Sequence, residues 1–390
     1  MTRDSIRQTA SEKKERTERI GQPKIAMFVS FSGMGGVERM ILNLCEGLLQ
    51  LGCQVDLLPV KSQSVHLSDH FSASLSVRNL TANHTLTSLP ALVHYLKTER
   101  PDALLAAKDR ANQIAIIARK FAGVPTRVVV RMGTTVSAAL VGKNPLRKMA
   151  WYLPMRLLYR KADAIIAVSQ GVAQDMARIT GLGQASIKVV QNPVISDHIF
   201  ERAREPVSHA WLTEQKVPVI MGIGRLTRQK DFPTLIRAFA RVRASLACRL
   251  VILGEGNDRK NLEDLARQLS VEAYVDMPGF VKNPYAYLAR AGLFVLSSAW
   301  EGSPNVLTEA LALGVPSVAT DCPSGPREIL RNGAIGKLVP VGDPRNLADA
   351  MRETLTSPPD NARLKNAVRD YTVESSSRRY LEILLNRKPE

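Results

Sequence analysis

The chain has 390 residues, of which 45% are hydrophobic and 23% are charged, and its formal net charge is +17. This composition is typical of a globular protein long enough for two domains, and it excludes the disordered and fibrous classes. Aromatic residues make up only 5% and no RNA- or DNA-binding motif is present, so we expect no nucleic-acid partner. The basic excess lies mainly in residues 1–200, which hold 26 Lys and Arg against 14 Asp and Glu, and it favours an anionic surface or substrate.

Residues 1–22 are rich in charged and hydroxyl side chains and nearly devoid of apolar ones. We therefore expect a disordered tail without a signal peptide. No stretch approaches the roughly 18 apolar residues that a membrane span requires, which favours a cytoplasmic protein, free or peripheral on the inner face of the membrane. Cysteine and histidine spacing indicates no zinc site, so we expect buried, reduced thiols at Cys45, Cys53, Cys248 and Cys322.

From residue 24 onward, short apolar runs alternate with helical patterns, and the alternation restarts at residue 218. Strands are predicted at 24–30, 54–60, 103–106, 127–130 and 164–168, and again at 218–224, 249–254, 275–280, 293–297 and 317–320. Helices are predicted at 37–51, 233–245, 259–269 and 373–385. This order predicts an α/β protein with two doubly wound, Rossmann-like domains facing each other across a cleft, with ligands at the strand carboxyl ends. We place the domains at 23–196 and 197–372, followed by a helical segment at 373–390.

A glycine-rich loop, Gly33-Met34-Gly35-Gly36, joins the first strand to the first helix. Glycines there allow close approach of a ligand to the backbone and leave amides for an anion. The loop lacks the G-x-G-x-x-G spacing and no acidic residue closes the second strand, so a nicotinamide cofactor is not expected. The residues alone leave a tight structural turn and a ligand site equally open.

A second loop, from Gly222 to Phe232, places Arg225 after a strand and Lys230 before a helix. Two cations on one strand–helix connection can clamp a diphosphate, Arg with its fork and Lys as a point charge. A solvated basic loop is the alternative, and it fits Arg228. The position at a strand end favours ligand binding for Arg225 and Lys230.

The segment from Glu301 to Glu309 places two carboxylates eight positions apart across a loop–helix junction. Backbone N–H groups at the helix start, near Asn305 and Val306, suit a phosphate, whereas carboxylates suit hydroxyl groups. Taken singly, Glu309 also fits a solvated residue that complements the helix dipole. The combination describes a pocket for a sugar nucleotide.

These motifs resemble those of the retaining glycosyltransferases of family 4 (glycosyltransferase group 1), which have the GT-B fold. The match is strongest over 218–330 and weaker but colinear over 24–194. The resemblance implies a nucleoside-diphosphate sugar as donor and no metal or other cofactor. It implies catalytic roles for Glu301, Arg225 and Lys230. It also implies donor binding by Glu309, Gly35, Gly36, Gly224, Gly254, Phe280, Val281, Ser303, Asn305 and Val306.

The resemblance predicts transfer of a sugar to a hydroxyl of a glycan or lipid-linked acceptor, in lipopolysaccharide or cell-surface polysaccharide synthesis. It also implies that the helix at 373–390 crosses back to the first domain. Asn192-Pro193-Val194 resembles the family's segment at the domain junction, and for Asn192 we expect a hinge or capping role. Two alternatives stay open, a nucleotide-sugar epimerase of the same fold and a non-catalytic nucleotide-sugar-binding protein. Many family members carry a His after the strand at 127–130; here Arg131, Thr134 or a main-chain carbonyl is left to face the donor sugar.

Residues 137–161 contain six Lys and Arg interleaved with apolar and aromatic residues, and no acidic residue. Two interpretations are open: the segment rests on an anionic membrane surface, or its apolar residues pack inside the domain. Pro154 is expected to interrupt any long amphipathic helix here.

Overall fold

A computed structural model describes residues 21–30, 35–60, 75–80, 82, 84–214 and 216–387. Residues 1–20 of the expected tail, and Gly33 and Met34 of the first loop, lie outside these ranges. The chain forms two compact units, one of Met1–Arg131, Leu158–Ile165 and Ser377–Glu390, and the other of Met132–Leu157 and Ile166–Ser376. No helix in the described part of the chain is long and apolar enough to cross a membrane.

The first sheet consists of β1 (Lys24–Ser30), β2 (Gln54–Val60), β3 (Ser76–Val77), β4 (Ala103–Ala107), β5 (Arg127–Met132), β6 (Ala164–Ala167) and β7 (Ile187–Val189). Its order is β3-β2-β1-β4-β5-β6-β7, and β1 runs parallel to both β2 and β4. The chain order reverses between β1 and β4, and such switch points are where open α/β sheets bind ligands. The accompanying helices are α1 (Gly36–Gln50), α2 (Leu89–Glu99), α3 (Asp109–Ala122), α4 (Val136–Ala139), α5 (Pro145–Leu158) and α6 (Gln170–Thr180).

The second sheet consists of β8 (Val219–Ile223), β9 (Arg249–Leu253), β10 (Val275–Gly279), β11 (Leu293–Leu296), β12 (Ser317–Thr320) and β13 (Lys337–Val339). Its order is β10-β9-β8-β11-β12-β13 with parallel pairing throughout, so its switch point lies between β8 and β11. The helices that follow are α7 (Asp197–Ala203), α8 (Ala210–Glu214), α9 (Phe232–Arg243), α10 (Arg259–Gln268), α11 (Pro284–Leu288), α12 (Asn305–Ala312), α13 (Pro326–Ile329), α14 (Pro344–Thr356), α15 (Asn361–Ala367) and α16 (Val373–Leu385).

Both faces of the second sheet are covered by apolar side chains. Successive residues of a strand point to opposite faces, so Met221 and Val251 pack in one core cluster while Ile220 and Ile252 pack in the other. This is why the strands read as continuous apolar runs rather than alternating ones. Polar residues lie instead after the strands, along the edge of the sheet that is formed by the carboxyl ends of the strands.

The end of α16 packs in the first unit, against β5. The Nε of Arg127 donates a hydrogen bond to the carbonyl of Ile383 at 3.1 Å, and the Nε of Arg131 donates to the hydroxyl of Tyr380 at 3.0 Å. Arg131 and Tyr380 are both buried. Arg131 therefore makes a structural contact within the first unit and is a poor candidate for the donor sugar.

Helix α5 corrects the expectation that Pro154 interrupts the helix, since α5 continues through this residue to Leu158. A proline inside a helix removes one hydrogen bond, here to the carbonyl of Ala150. Ala150 is exposed, so water can satisfy that carbonyl.

Candidate functional site

The switch point between β8 and β11 brings together a cation and a carboxylate that the sequence marks as site residues. Lys230 lies on the connection after β8, and Glu301 lies on the loop after β11. The Nζ of Lys230 donates to the Oε1 of Glu301 at 2.6 Å, and the two side chains are 16% and 9% exposed. An ion pair this close, and this well shielded from water, is screened much less than a surface pair.

Hydrogen bonds from the carboxyl end of β11 fix both members of this pair. The hydroxyl of Ser298 donates to the Oε1 of Glu301 at 2.7 Å, and the hydroxyl of Ser297 donates to the backbone carbonyl of Lys230 at 2.7 Å. Gly224 leaves room for the lysine, because a Cβ there would lie 2.8 Å from the Cε of Lys230. The pair is therefore preorganised by the sheet edge.

Gly254, at the end of β9, has a packing reason to be glycine. Its φ is +135°, and a Cβ at this position would lie 1.9 Å from the carbonyl oxygen of Gly224. The neighbouring strand-end loops could not approach this closely around a side chain. The structure thus explains Gly254 without a ligand, while a role in donor binding stays a prediction.

Arg225 differs from Lys230 in having an exposed side chain. Within the described residues its guanidinium forms no hydrogen bond or ion pair, so it projects from the strand end with its donors available. Phe280, after β10, is 61% exposed, whereas Val281 is partly buried against the core of the second unit. The structure does not bring Arg225, Phe280 or Val281 into hydrogen-bonding contact with the Lys230–Glu301 pair.

Glu309 is not a solvated first-turn residue, because only 6% of its surface is exposed. It lies in α12, and the hydroxyl of Tyr285 lies 3.5 Å from its Oε1, at the outer limit of a hydrogen bond. Tyr285 is buried at the start of α11 and was not singled out from the sequence. A carboxylate has two oxygens that each accept hydrogen bonds, so a buried Glu309 is chemically suited to contact hydroxyl groups.

The loop that leads into α12 is fastened by Asn192. Its Nδ2 donates to the Oδ1 of Asn305 at 2.7 Å and to the carbonyl of Ser303 at 3.4 Å. Val306, the next residue of the helix, is partly buried against the core. Asn192 therefore positions Ser303 and Asn305 at the helix N-terminus.

The loop after β5, where the expected His is missing, lies against the Glu301 loop. Thr134 forms an antiparallel bridge with Gly302, and the hydroxyl of Thr135 donates to the carbonyl of Glu301 at 3.1 Å. A Cβ on Gly302 would lie 2.1 Å from the carbonyl oxygen of Gly133. Thr134 and the Gly133 main chain are thus next to Glu301, which Arg131 is not.

The first unit has a similar ion pair at its own switch point, beside Gly35 and Gly36. The Nζ of Lys108, directly after β4, donates to the Oε1 of Glu38 at 2.8 Å and to the carbonyl of Ser30 at 2.7 Å. A Cβ on Gly35 would lie 2.8 Å from the Oε2 of Glu38. Neither Lys108 nor Glu38 was predicted, although a charged residue directly after the apolar run of β4 was a usable signal.

Among the described residues, no group of three or more His, Cys, Asp or Glu side chains is arranged to hold a metal ion.

The chain matches two family models and several characterised relatives in sequence. The model of the family "Glycosyl transferases group 1" matches residues 204–371, and that of "Glycosyl transferase 4-like domain" matches residues 35–193. The chain is 32% identical over 339 residues to N-acetylgalactosamine-N,N'-diacetylbacillosaminyl-diphospho-undecaprenol 4-alpha-N-acetylgalactosaminyltransferase of Campylobacter jejuni, covering 85% of this chain and 90% of that protein. It is 27% identical over 367 residues to the lipopolysaccharide core biosynthesis glycosyltransferase LpsE of Rhizobium meliloti, covering 92% and 98%.

A solved structure supports the fold independently. Anabaena HepE in complex with UDP-glucose superposes with a TM-score of 0.75 at 18% identity, covering 93% of this chain and 99% of HepE. At this identity the likeness shows the fold alone. It confirms the GT-B fold expected from the sequence.

Proposed function

The chain belongs to the group 1 glycosyl transferase family, and on that premise we propose that it transfers a sugar from a nucleoside-diphosphate sugar to a hydroxyl of a glycan or lipid-linked acceptor. The transfer is proposed to retain the anomeric configuration and to need no metal ion. The observation that carries the proposal is the Lys230–Glu301 pair at the β8–β11 switch point, 2.6 Å apart and largely shielded from water. This is the edge at which an open parallel sheet binds its ligand.

Two cations on the β8 connection are proposed to hold the donor diphosphate. Arg225 has donors available for a bidentate contact, and Lys230 supplies a shielded charge. The N-terminus of α12, with Ser303, Asn305 and Val306, adds backbone N–H groups and the positive end of the helix dipole. These groups act where charge grows on the leaving nucleoside diphosphate, and fixed charges of this kind supply the stabilisation that a metal would otherwise supply.

The two carboxylates are assigned to hydroxyl groups. Glu309 is proposed to accept hydrogen bonds from the ribose, with Tyr285 restricting its orientation. Glu301 is proposed to contact the donor sugar while it holds Lys230 toward the phosphates. Gly35 and Gly36 are proposed to bind the donor through their backbone amides, and Gly224, Gly254, Phe280 and Val281 to line the nucleotide.

In the proposed step, the bond between the anomeric carbon and the diphosphate oxygen breaks, and the acceptor hydroxyl oxygen bonds to that carbon on the same face. The hydroxyl proton passes to the oxygen of the departing diphosphate. No protein base is needed, so the missing His after β5 is compatible with turnover. Lys230 and Arg225 lower the barrier by stabilising the diphosphate as it leaves.

The relatives support the substrate classes. HepE was solved with UDP-glucose, the Campylobacter enzyme has a diphospho-undecaprenol acceptor and forms an alpha linkage, and LpsE serves lipopolysaccharide core synthesis. We extend these classes to this chain as a proposal, with the cytoplasm as its location. These relatives are transferases, so the epimerase alternative is not favoured.

The test is a panel of nucleoside-diphosphate sugars screened by thermal unfolding and transfer, with and without EDTA. A ligand that binds only the native state raises the melting temperature. We expect one donor to stabilise the protein, transfer to persist in EDTA, and NMR of the product to show the donor's anomeric configuration. Loss of transfer in EDTA overturns metal independence, and an inverted product overturns retention.

A matched pair of variants tests the clamp. Arg225→Ala is expected to abolish the donor-induced shift and to lower kcat/KM by about 10²-fold or more. Arg228→Ala removes the same charge from an exposed neighbour in the same loop and is expected to leave both unchanged. Equal effects of the two substitutions would indicate that Arg225 contributes only general positive charge, as Arg228 does, and would contradict the proposed diphosphate clamp.

A further inference from the structure

Helix α5 carries a row of large apolar side chains that point away from the protein. Leu146, Met149, Leu153 and Leu157, called the α5 stripe below, follow the spacing of one helix face. They are 72%, 58%, 51% and 60% exposed, whereas Met155 on the opposite face is fully buried. The sequence left open whether the apolar residues of this segment pack inside the domain. The structure shows that these four do not.

The same surface carries positive charge without a neutralising acid. Residues 137–161 contain no Asp or Glu. Lys143, just before the helix, and Arg147 are exposed, and within the described part of the chain neither forms an ion pair. A contiguous exposed apolar patch marks an interaction site, and its basic border selects an anionic partner. A second copy of the same surface would bring like charges together.

We propose that α5 lies flat on an anionic lipid bilayer, with the α5 stripe among the acyl chains and Lys143 and Arg147 against the lipid phosphates. An interfacial helix with this distribution lies in the plane of the membrane and does not cross it. The inference rests on the proposed function only in placing the enzyme where a lipid-linked acceptor is found. Binding to lipid itself requires neither donor nor transfer.

The expected effects follow from what each group contributes. A basic residue near an anionic surface strengthens binding by about fivefold, so removing two should weaken binding by roughly 25-fold. Replacing a leucine-sized side chain that enters the interface by serine should weaken binding by about tenfold or more for each residue.

The full-length protein is tested by flotation with vesicles of phosphatidylglycerol and phosphatidylcholine, and with phosphatidylcholine alone. We expect binding to the anionic vesicles only, weakened by salt. Replacing the whole stripe (Leu146→Ser, Met149→Ser, Leu153→Ser and Leu157→Ser) should abolish it, and Lys143→Gln with Arg147→Gln should weaken it by roughly 25-fold. Matched controls are Phe121→Ser, which removes a side chain that is 65% exposed in the first unit, and the exposed pair Lys188→Gln with Lys365→Gln; both should bind like the unchanged protein.

Thermal stabilisation by the donor is measured on the same variants and should persist, so a failure of lipid binding and a failure of the proposed function are distinguishable. Absence of flotation with anionic vesicles would overturn the inference, as would flotation that survives in the stripe variant. A dimer in sedimentation that dissociates only in the stripe variant would assign the surface to a second copy instead.

Discussion

The Lys230–Glu301 pair predicts that Glu301→Gln separates nucleotide binding from turnover. The substitution removes the charge but keeps an oxygen that can accept from Ser298, now 2.7 Å away. The shape of the loop should therefore survive. What changes is that the Lys230 ammonium, 16% exposed, loses its counter-ion.

The magnitude follows from burial and distance. Removing one partner of a fully buried pair costs about 3–5 kcal/mol, and the residual exposure of Lys230 places the expected loss in unfolding free energy nearer about 2–3 kcal/mol. A bound diphosphate returns a negative charge to Lys230. About 1.4 kcal/mol of that loss is expected to reappear as roughly tenfold tighter binding of the free nucleoside diphosphate. Turnover should fall by about 10²-fold or more, because Glu301 no longer contacts the sugar.

The assay combines urea unfolding, titration calorimetry with the nucleoside diphosphate of the identified donor, and kcat. Asp321→Asn is the matched control, since it removes a carboxylate that pairs with Arg327 just beyond β12 and should leave nucleotide affinity unchanged. The reasoning is refuted if Glu301→Gln leaves stability intact and weakens nucleotide binding. In that case the carboxylate would not be the counter-ion that a diphosphate replaces.

Three further outcomes are expected. Gly302→Ala places a Cβ 2.1 Å from the Gly133 carbonyl oxygen. It should therefore lower the free energy of unfolding, measured in urea, by about 1–3 kcal/mol, and it should lower kcat. Unchanged values would mean that the loop after β5 moves freely. Burial raises the pKa of Asp56, but the Tyr95 hydroxyl and nearby cations outweigh it and hold the pKa below its usual range. The ionised Asp56 therefore stabilises the fold above the unfolded pKa, near 4, and this contribution is lost as pH falls through the folded pKa. Asp56→Asn should lower the free energy of unfolding by about 1–3 kcal/mol at pH 7 and by far less near pH 2. An equal loss at both pH values would contradict this. Burial, with the charge of Glu301, raises the pKa of the Cys322 thiol to about 12. Iodoacetamide should therefore modify Cys322 only after unfolding, which mass spectrometry can measure. Rapid labelling of the native protein would argue against that burial.

The strands were predictable because both faces of each sheet are buried. The run at 54–60 coincides with β2, and the run at 249–254 with β9 plus one residue. Helix α16 was predicted at 373–385 and found there. Continuous apolar runs bounded by turn residues carry this information locally. The two-residue strand β3 has no such run and was missed.

The parts that escaped prediction depend on distant residues. Lys108 and Glu38 are 70 positions apart, and Lys230 and Glu301 are 71 apart, so no local pattern reports either pairing. The resemblance placed Lys230 and Glu301 in one site without showing that they bind each other. The buried Arg131 likewise donates a hydrogen bond to Tyr380, which lies 249 positions away.

The position of α16 has a consequence for how the chain is made. The unit that holds the first strands also holds the last helix, where Tyr380 receives the hydrogen bond from the buried Arg131. Synthesis proceeds from the N-terminus, and domains generally fold as their segments emerge from the ribosome. The hydrogen bond between Arg131 and Tyr380 can therefore form only after α16 has been made. A nonsense mutation or proteolytic cut before Tyr380 would thus damage the unit made first, by removing the helix end and the hydroxyl to which the buried Arg131 donates.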